Sequence, residues 1–150
     1  MIERLDHVNI VVADMEAMIG FYRDLLGMRL TKRATIRGEW ISAVTGLAGV
    51  SADVAFLEPQ QGPGIELICY HTPPGTAAGG EPPHAGGIRH IALCASDIDG
   101  LVSSMTAGGV KFFSPVQQVP ASQVDYAQQR KRLVYCRDPE GNLVELCHFS

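Results

Sequence analysis

Several features are missing from this chain of 150 residues, and each absence excludes a class of function. There is no run of lysine and arginine: 12 Lys+Arg stand against 16 Asp+Glu, for a formal charge of -4. Binding to a phosphate backbone needs a basic stripe, so nucleic acid is excluded as a partner. No apolar stretch reaches the roughly 18 residues of a membrane helix. The N-terminus MIERLDHVNIVV carries charges where a signal peptide needs an apolar segment, so the expectation is a soluble, cytoplasmic protein with no membrane partner. No CxxC pair occurs among the cysteines at 69, 94, 136 and 147, which argues against a disulfide framework. Each cysteine lies inside an apolar run and is read as a buried, reduced strand residue. No glycine-rich phosphate loop is present. Aromatic residues are sparse, at 7%.

What is present is an ordinary folding composition, with 46% apolar and 19% charged residues, enough for one domain with its own core. Within it the chain repeats itself. LDHVNIVVADMEAMIGFYRDLLGM opens the first half and IRHIALCASDIDGLVSSMTAGGV the second, so that His7 matches His90 and Asp14 matches Asp97 at the same offset of 83 residues. Further on, IELICY matches LVELCHF, pairing Glu66 with Glu145 at an offset of 79. The expected organisation is a first module at about 1–71, a Pro- and Gly-rich linker at about 72–87, and a second module at about 88–150.

Each module reads as a strand, a helix and then further strands. Residues 5–12 and 88–95 have strand composition and length. Asp14 and Asp97 stand where an N-cap would accept the first free amides of a helix. The first helix is expected over Met15 to Leu26, with Met15, Ile19, Tyr22 and Leu26 on one face, stopping at Gly27. The second is expected to end near Gly108 and Gly109. Segments 28–33, 53–58 and 64–70 read as strands, Glu39 to Leu47 as a short helix within an arching segment, and 138–142 as a tight turn. Helices segregated from antiparallel strands give an α+β class.

Side chains alternate between the two faces of a strand. His7 therefore shares a face with Asn9, and Glu66 and Glu145 fall mid-strand among apolar residues. A lone strand histidine is ordinarily a packed or edge residue, and a lone glutamate ordinarily faces water. A carboxylate among apolar neighbours is costly to bury unless it is paired or bound to a metal. Here a His and a Glu recur at equivalent places in both halves, and pseudo-twofold packing would bring all four together. Two imidazoles and two carboxylates suit a divalent ion such as Zn, Ni, Co, Mn or Fe.

The stretches LDHVNIVVADMEAMIGFYRDLLGM, IELICY, GIRHIAL and RDPEGNLVEL, in that order over essentially the whole chain, are similar to the vicinal oxygen chelate superfamily. Its members include glyoxalase I, methylmalonyl-CoA epimerase, extradiol dioxygenases and drug-resistance proteins. The resemblance implies two βαβββ modules whose curved mixed sheet surrounds a metal-binding cavity, often in a homodimer. It implies metal ligands at His7, Glu66, His90 and Glu145. It also implies a lyase or isomerase chemistry in which the metal acts as a Lewis acid on a carbonyl while Glu145 or Glu66 moves a proton on the adjacent carbon. The implied substrate is a small molecule, such as a thioester or hemithioacetal. A second base, as epimerase-like enzymes carry, would have to be Asp53, because GLAGVSADV holds no glutamate. Two alternatives stand beside this reading. One is a non-haem Fe(II) extradiol-type dioxygenase with Glu66 as a polar wall; the other is a binding or resistance protein that sequesters a small molecule.

Other residues are weaker candidates. Asn9, Arg37 and Trp40 could contact substrate: Asn9 by orienting it, Arg37 by meeting a carboxylate or phosphate, and Trp40 by roofing the cavity. Arg33 could meet the same groups, but both arginines read better as solvated surface residues. Tyr70, Phe113 and Tyr135 read as packing residues. His71, His84 and His148 have no partner in the repeat and read as surface or loop histidines.

Overall fold

A computed structural model describes residues 1–76 and 79–150. The chain divides into two compact units, Met1–Ala77 and Ala78–Ser150. The part of the expected linker at Ala77 and Ala78 lies outside the described residues. The class is α+β, with two four-stranded mixed sheets and few helices. No helix among the described residues is long and apolar enough to cross a membrane.

In the first unit the order is β1 (His7–Val11), α1 (Met15–Ile19), β2 (Arg29–Arg37), α2 (Glu39–Thr45), β3 (Ser51–Glu58) and β4 (Gly64–Thr72). Its strands lie in the order β1-β4-β3-β2. β1 runs parallel to β4, while the other pairings are antiparallel. The second unit repeats the plan with β5 (His90–Cys94), α3 (Ile98–Ala107), β6 (Gln117–Gln118), β7 (Lys131–Arg137) and β8 (Leu143–Phe149), ordered β5-β8-β7-β6. The one parallel pair in each sheet joins its first strand to its last, and that pair carries the recurring His and Glu.

Local chemistry explains these elements. Asp14 accepts the Ala17 amide at 3.0 Å, and Asp97 accepts the Gly100 amide at 2.9 Å, so both helices begin on a carboxylate cap. The first helix departs from the expected regular run to Leu26: after Ile19 it widens into a π-helical turn, Gly20–Leu25. That turn lets adjacent Phe21 and Tyr22 both reach the core, whereas Leu26 is only half-buried. The expected strand 28–33 continues to Arg37, because the backbone of residues 34–37 keeps pairing with β3. The turn between β7 and β8 is closed by Asp138, which accepts the backbone amides of Glu140 at 3.0 Å and Asn142 at 2.9 Å. Gly141 takes φ 89° in that turn and lies against Gly79 and Gly80, where a Cβ would meet the Gly80 nitrogen at 2.8 Å.

Each sheet packs one face on its helix. In the first unit Ile10, Ile65 and Leu67 are buried along with Met18 and Ile19 of α1 and Tyr22 of the π-helical turn. In the second, Val134, Cys136, Val144 and Leu146 are buried along with Ile98 and Met105 of α3. The opposite face carries His7, Asn9 and Glu66 in the first unit and His90 and Glu145 in the second.

Candidate functional site

In the first unit the β1/β4 register sets Asn9 opposite Glu66 and His7 opposite Gly64, so His7, Asn9 and Glu66 share the face away from α1. His7 Nε2 lies 3.4 Å from Glu66 Oε2. The Asn9 amide donates to the same Oε2 at 3.1 Å and to the Glu66 backbone oxygen at 3.3 Å. On the far side of the imidazole, His7 Nδ1 meets Asp6 Oδ2 at 3.1 Å, and Arg4 donates to Asp6 Oδ1 at 2.9 Å. The His7 contact, reinforced by Arg4, holds the Asp6 carboxyl below its usual range. An ionised carboxylate only accepts, so Nδ1 is the donor and a neutral ring keeps its lone pair on Nε2, toward Glu66.

The second unit reproduces the arrangement with different surroundings. His90 Nε2 lies 3.4 Å from Glu145 Oε2. Here Ala92 takes the place of Asn9 opposite the glutamate. The other oxygen, Glu145 Oε1, lies 2.6 Å from Lys131 Nζ, an ion pair that is short but not aligned as a hydrogen bond. The Lys131 and Glu145 side chains are 15% and 4% exposed, so the pair is close to fully buried. Burial works against the Lys131 charge, but Glu145 outweighs it and the ammonium is held above its usual value. Tyr135 stands opposite Glu145 on β7, its ring 5.4 Å from that of His90. Burial first, and then the neighbouring Glu145 charge, push the Tyr135 phenol up.

The donor set fits a divalent ion. In both pairs the 3.4 Å nitrogen-to-oxygen separation exceeds the roughly 2.7–3.2 Å of a hydrogen bond. Two ligand atoms on neighbouring corners of a tetrahedron with bonds of about 2.1 Å stand about 3.4 Å apart. The His7 ring is also held through its other nitrogen by a carboxylate, the usual support of a metal-bound imidazole. Among the described residues the candidate ligands stand in these pairs, and no three His, Cys, Asp or Glu form one metal-holding group.

The remaining candidates fall elsewhere. Arg37 ends β2, paired with Ser51, on the face that carries Thr35 and not the one that carries Glu66. Trp40 is 57% exposed on α2. Asp53 also lies on the face away from Glu66, accepting from Thr35 Oγ1 at 2.6 Å and facing His71 Nε2 at 3.0 Å. Those contacts, Thr35 first, hold its carboxyl below the usual range. His71 is thus a strand residue with a carboxylate partner. His148 belongs to β8, where its Nδ1 meets the Ala95 carbonyl at 2.8 Å on the face opposite Glu145.

Three residues next to the pairs escape sequence reasoning. Asp6 was open to notice as the neighbour of His7. Lys131 gave no local signal, because only the β7/β8 register brings it to Glu145. Cys94 corrects an expectation: it is exposed, since β5 is an edge strand and Cys94 lies on its His90 face. It sits opposite Cys147, whose thiol burial pushes up to about 11. None of the four cysteines is joined in a disulfide.

Comparison with known proteins agrees with this architecture. A glyoxalase family protein from Bacillus cereus superposes with a TM-score of 0.84 at 32% identity, covering 99% of this chain and 95% of that one. The uncharacterized protein YwbC of Bacillus subtilis (strain 168) is 30% identical over 97% of both chains. The trypanothione-dependent glyoxalase I of Leishmania major shares the fold, with a TM-score of 0.61 at 21% identity over 97% of this chain and 86% of its own. The model of the Glyoxalase/Bleomycin resistance protein/Dioxygenase superfamily matches residues 4–146, and the chain belongs to that superfamily.

Proposed function

We propose that the protein is a metal-dependent enzyme of the glyoxalase or epimerase type, a lyase or isomerase that moves a proton beside a chelated carbonyl of a small molecule. The ligands in this reading are His7, Glu66, His90 and Glu145, and the ion is one of Zn, Ni, Co, Mn or Fe. One observation carries it: the same imidazole-to-carboxylate separation of 3.4 Å occurs in each repeat, on the same pair of strands. When bound, a divalent ion supplies Lewis acidity toward a carbonyl oxygen.

The chain's own groups supply the rest. Glu66 and Glu145 are the carboxylates on the candidate face able to accept a proton and return it. Asn9 holds Glu66 Oε2, and Asp6 holds the His7 ring. Asp53 faces the other way, which favours one-base chemistry over two-base epimerisation. A small thioester or hemithioacetal is the substrate class proposed, and a homodimer the proposed assembly.

The test is elemental analysis of the purified protein, followed by titration of metal-free protein with Co²⁺ and Zn²⁺. The expected result is tight binding in the parent and a loss of more than roughly tenfold in Glu66→Gln and in Glu145→Gln, since removing a ligand costs at least what removing its support does. A parent that binds none of these ions, or variants that bind as the parent does, would sink the reading. Oxygen uptake with a catechol after iron loading would point instead to a dioxygenase.

A further inference from the structure

The two repeats hold their glutamates by different means. Tyr135 stands opposite Glu145 as Phe56 stands opposite Glu66. Counting four residues back along each strand, Lys131 occupies the place that Ala52 holds in the first unit. Ala52 is buried in an apolar cluster with Val54 and Ile68. The substitution is reciprocal: where the first unit has Asn9 donating to its glutamate, the second has Ala92, which cannot donate, and the lysine does the holding. One glutamate is held by a neutral amide and the other by a full positive charge.

That charge is fixed in place. The ammonium lies over the rings of Tyr126 at 5.8 Å and Phe149 at 5.7 Å, and its side chain is 15% exposed. Glu145, at 4%, is more buried still, so without an ion the lysine is what compensates a buried carboxylate. With an ion, two cations would share one carboxylate. Their mutual repulsion is screened little by water at such burial.

Building on the metal-site reading above, we infer that Lys131 is a built-in counter-cation that competes with a divalent ion for Glu145 and so weakens the affinity of the His90–Glu145 pair for metal. The lysine keeps the metal-free protein folded around a buried carboxylate. The cost is a looser grip on the ion.

The test is Co²⁺ titration at pH 8, followed by absorption and by calorimetry, on the parent, Lys131→Met, Lys131→Gln and Lys131→Arg. The two neutral variants should bind Co²⁺ at least roughly tenfold more tightly, and Lys131→Arg, which keeps the charge, should bind like the parent. Arg132→Met serves as control: Arg132 neighbours Lys131 but pairs with Asp99 at 2.7 Å, and its loss should leave the affinity unchanged. Damage to the fold weakens binding and cannot tighten it, so the direction separates competition from a structural role. Unchanged or weaker binding in both neutral variants overturns the inference and leaves the metal-site reading intact. A parent that binds no ion sinks the metal-site reading as stated. In that case, binding gained in Lys131→Met supports competition, and its absence overturns both.

Discussion

At the scale of single residues, a metal ligand is only as good as what holds it. Asp6 is 68% exposed and would pass as a surface charge, yet its Oδ2 accepts a hydrogen bond from His7 Nδ1 and so aims the other nitrogen at Glu66. Replacing it by asparagine keeps the shape but lets the amide present a donor where the ring needs an acceptor. Asp6→Asn should therefore weaken Co²⁺ binding about tenfold, at the mild end of the range for such supports, with thermal stability nearly unchanged. A dissociation constant within about twofold of the parent would show that Asp6 has no hold on the ring. Lys131 belongs to the same scale, although its effect has the opposite sign. In the proposed site, Asp6 makes the His7 imidazole more available to an ion, whereas Lys131 occupies the Glu145 carboxylate.

At the scale of elements, the start of α3 sets two preferences against each other. Gly100 costs roughly 1 kcal/mol of helix propensity relative to alanine. Its missing Cβ is also what leaves room for the cap, since an added Cβ would lie 2.3 Å from Asp97 Oδ2. The carboxylate can rotate away, but only by giving up its bond to the Gly100 amide, worth about 1 kcal/mol. Gly100→Ala alone should thus be close to neutral in urea denaturation, Asp97→Ala should cost about 1 kcal/mol, and adding Gly100→Ala to Asp97→Ala should restore about 1 kcal/mol. If Gly100→Ala stabilises the parent as much as it stabilises Asp97→Ala, the two residues are not coupled. Caps of this kind were legible in the sequence because they are local: an aspartate stands just ahead of an amphipathic run, once in each repeat. The His and Glu positions were legible only through the repeat, which sets a His and a Glu at matching places in both halves. The π-helical turn was not, because bringing both Phe21 and Tyr22 to the core is a demand of packing rather than of any local pattern. Nor were the contacts of Lys131 or the face of Asp53, which follow from strand register and so from residues far away in sequence.

At the scale of the whole molecule, charge and burial bound the pH range in which the fold is stable. On the acid side, Asp6, Asp24, Asp53, Glu58 and Asp99 are all held below their usual values by hydrogen-bonding partners. A depressed carboxylate contributes stability that is present above its unfolded value and disappears as the pH falls through its folded one. Because these groups are exposed and screened, that decline should be shallow. The alkaline side is steeper in principle. Cys136 is 0% exposed in the core of the second unit, and burial pushes its thiol from 9.0 to about 11. A raised thiol favours the fold below its unfolded value, and the contribution is lost between about pH 9 and 11 as the unfolded chain ionises first. At pH 10 the loss from this one group is on the order of 1 kcal/mol. Urea denaturation of the parent should therefore show stability falling between pH 8 and pH 10. Cys136→Ala, starting lower because of the cavity it leaves, should fall less steeply over the same interval, by on the order of 1 kcal/mol. Parallel declines in parent and variant would mean that the alkaline limit is set elsewhere, with Tyr135, Lys131 and Cys147 among the other groups whose raised values act in the same direction.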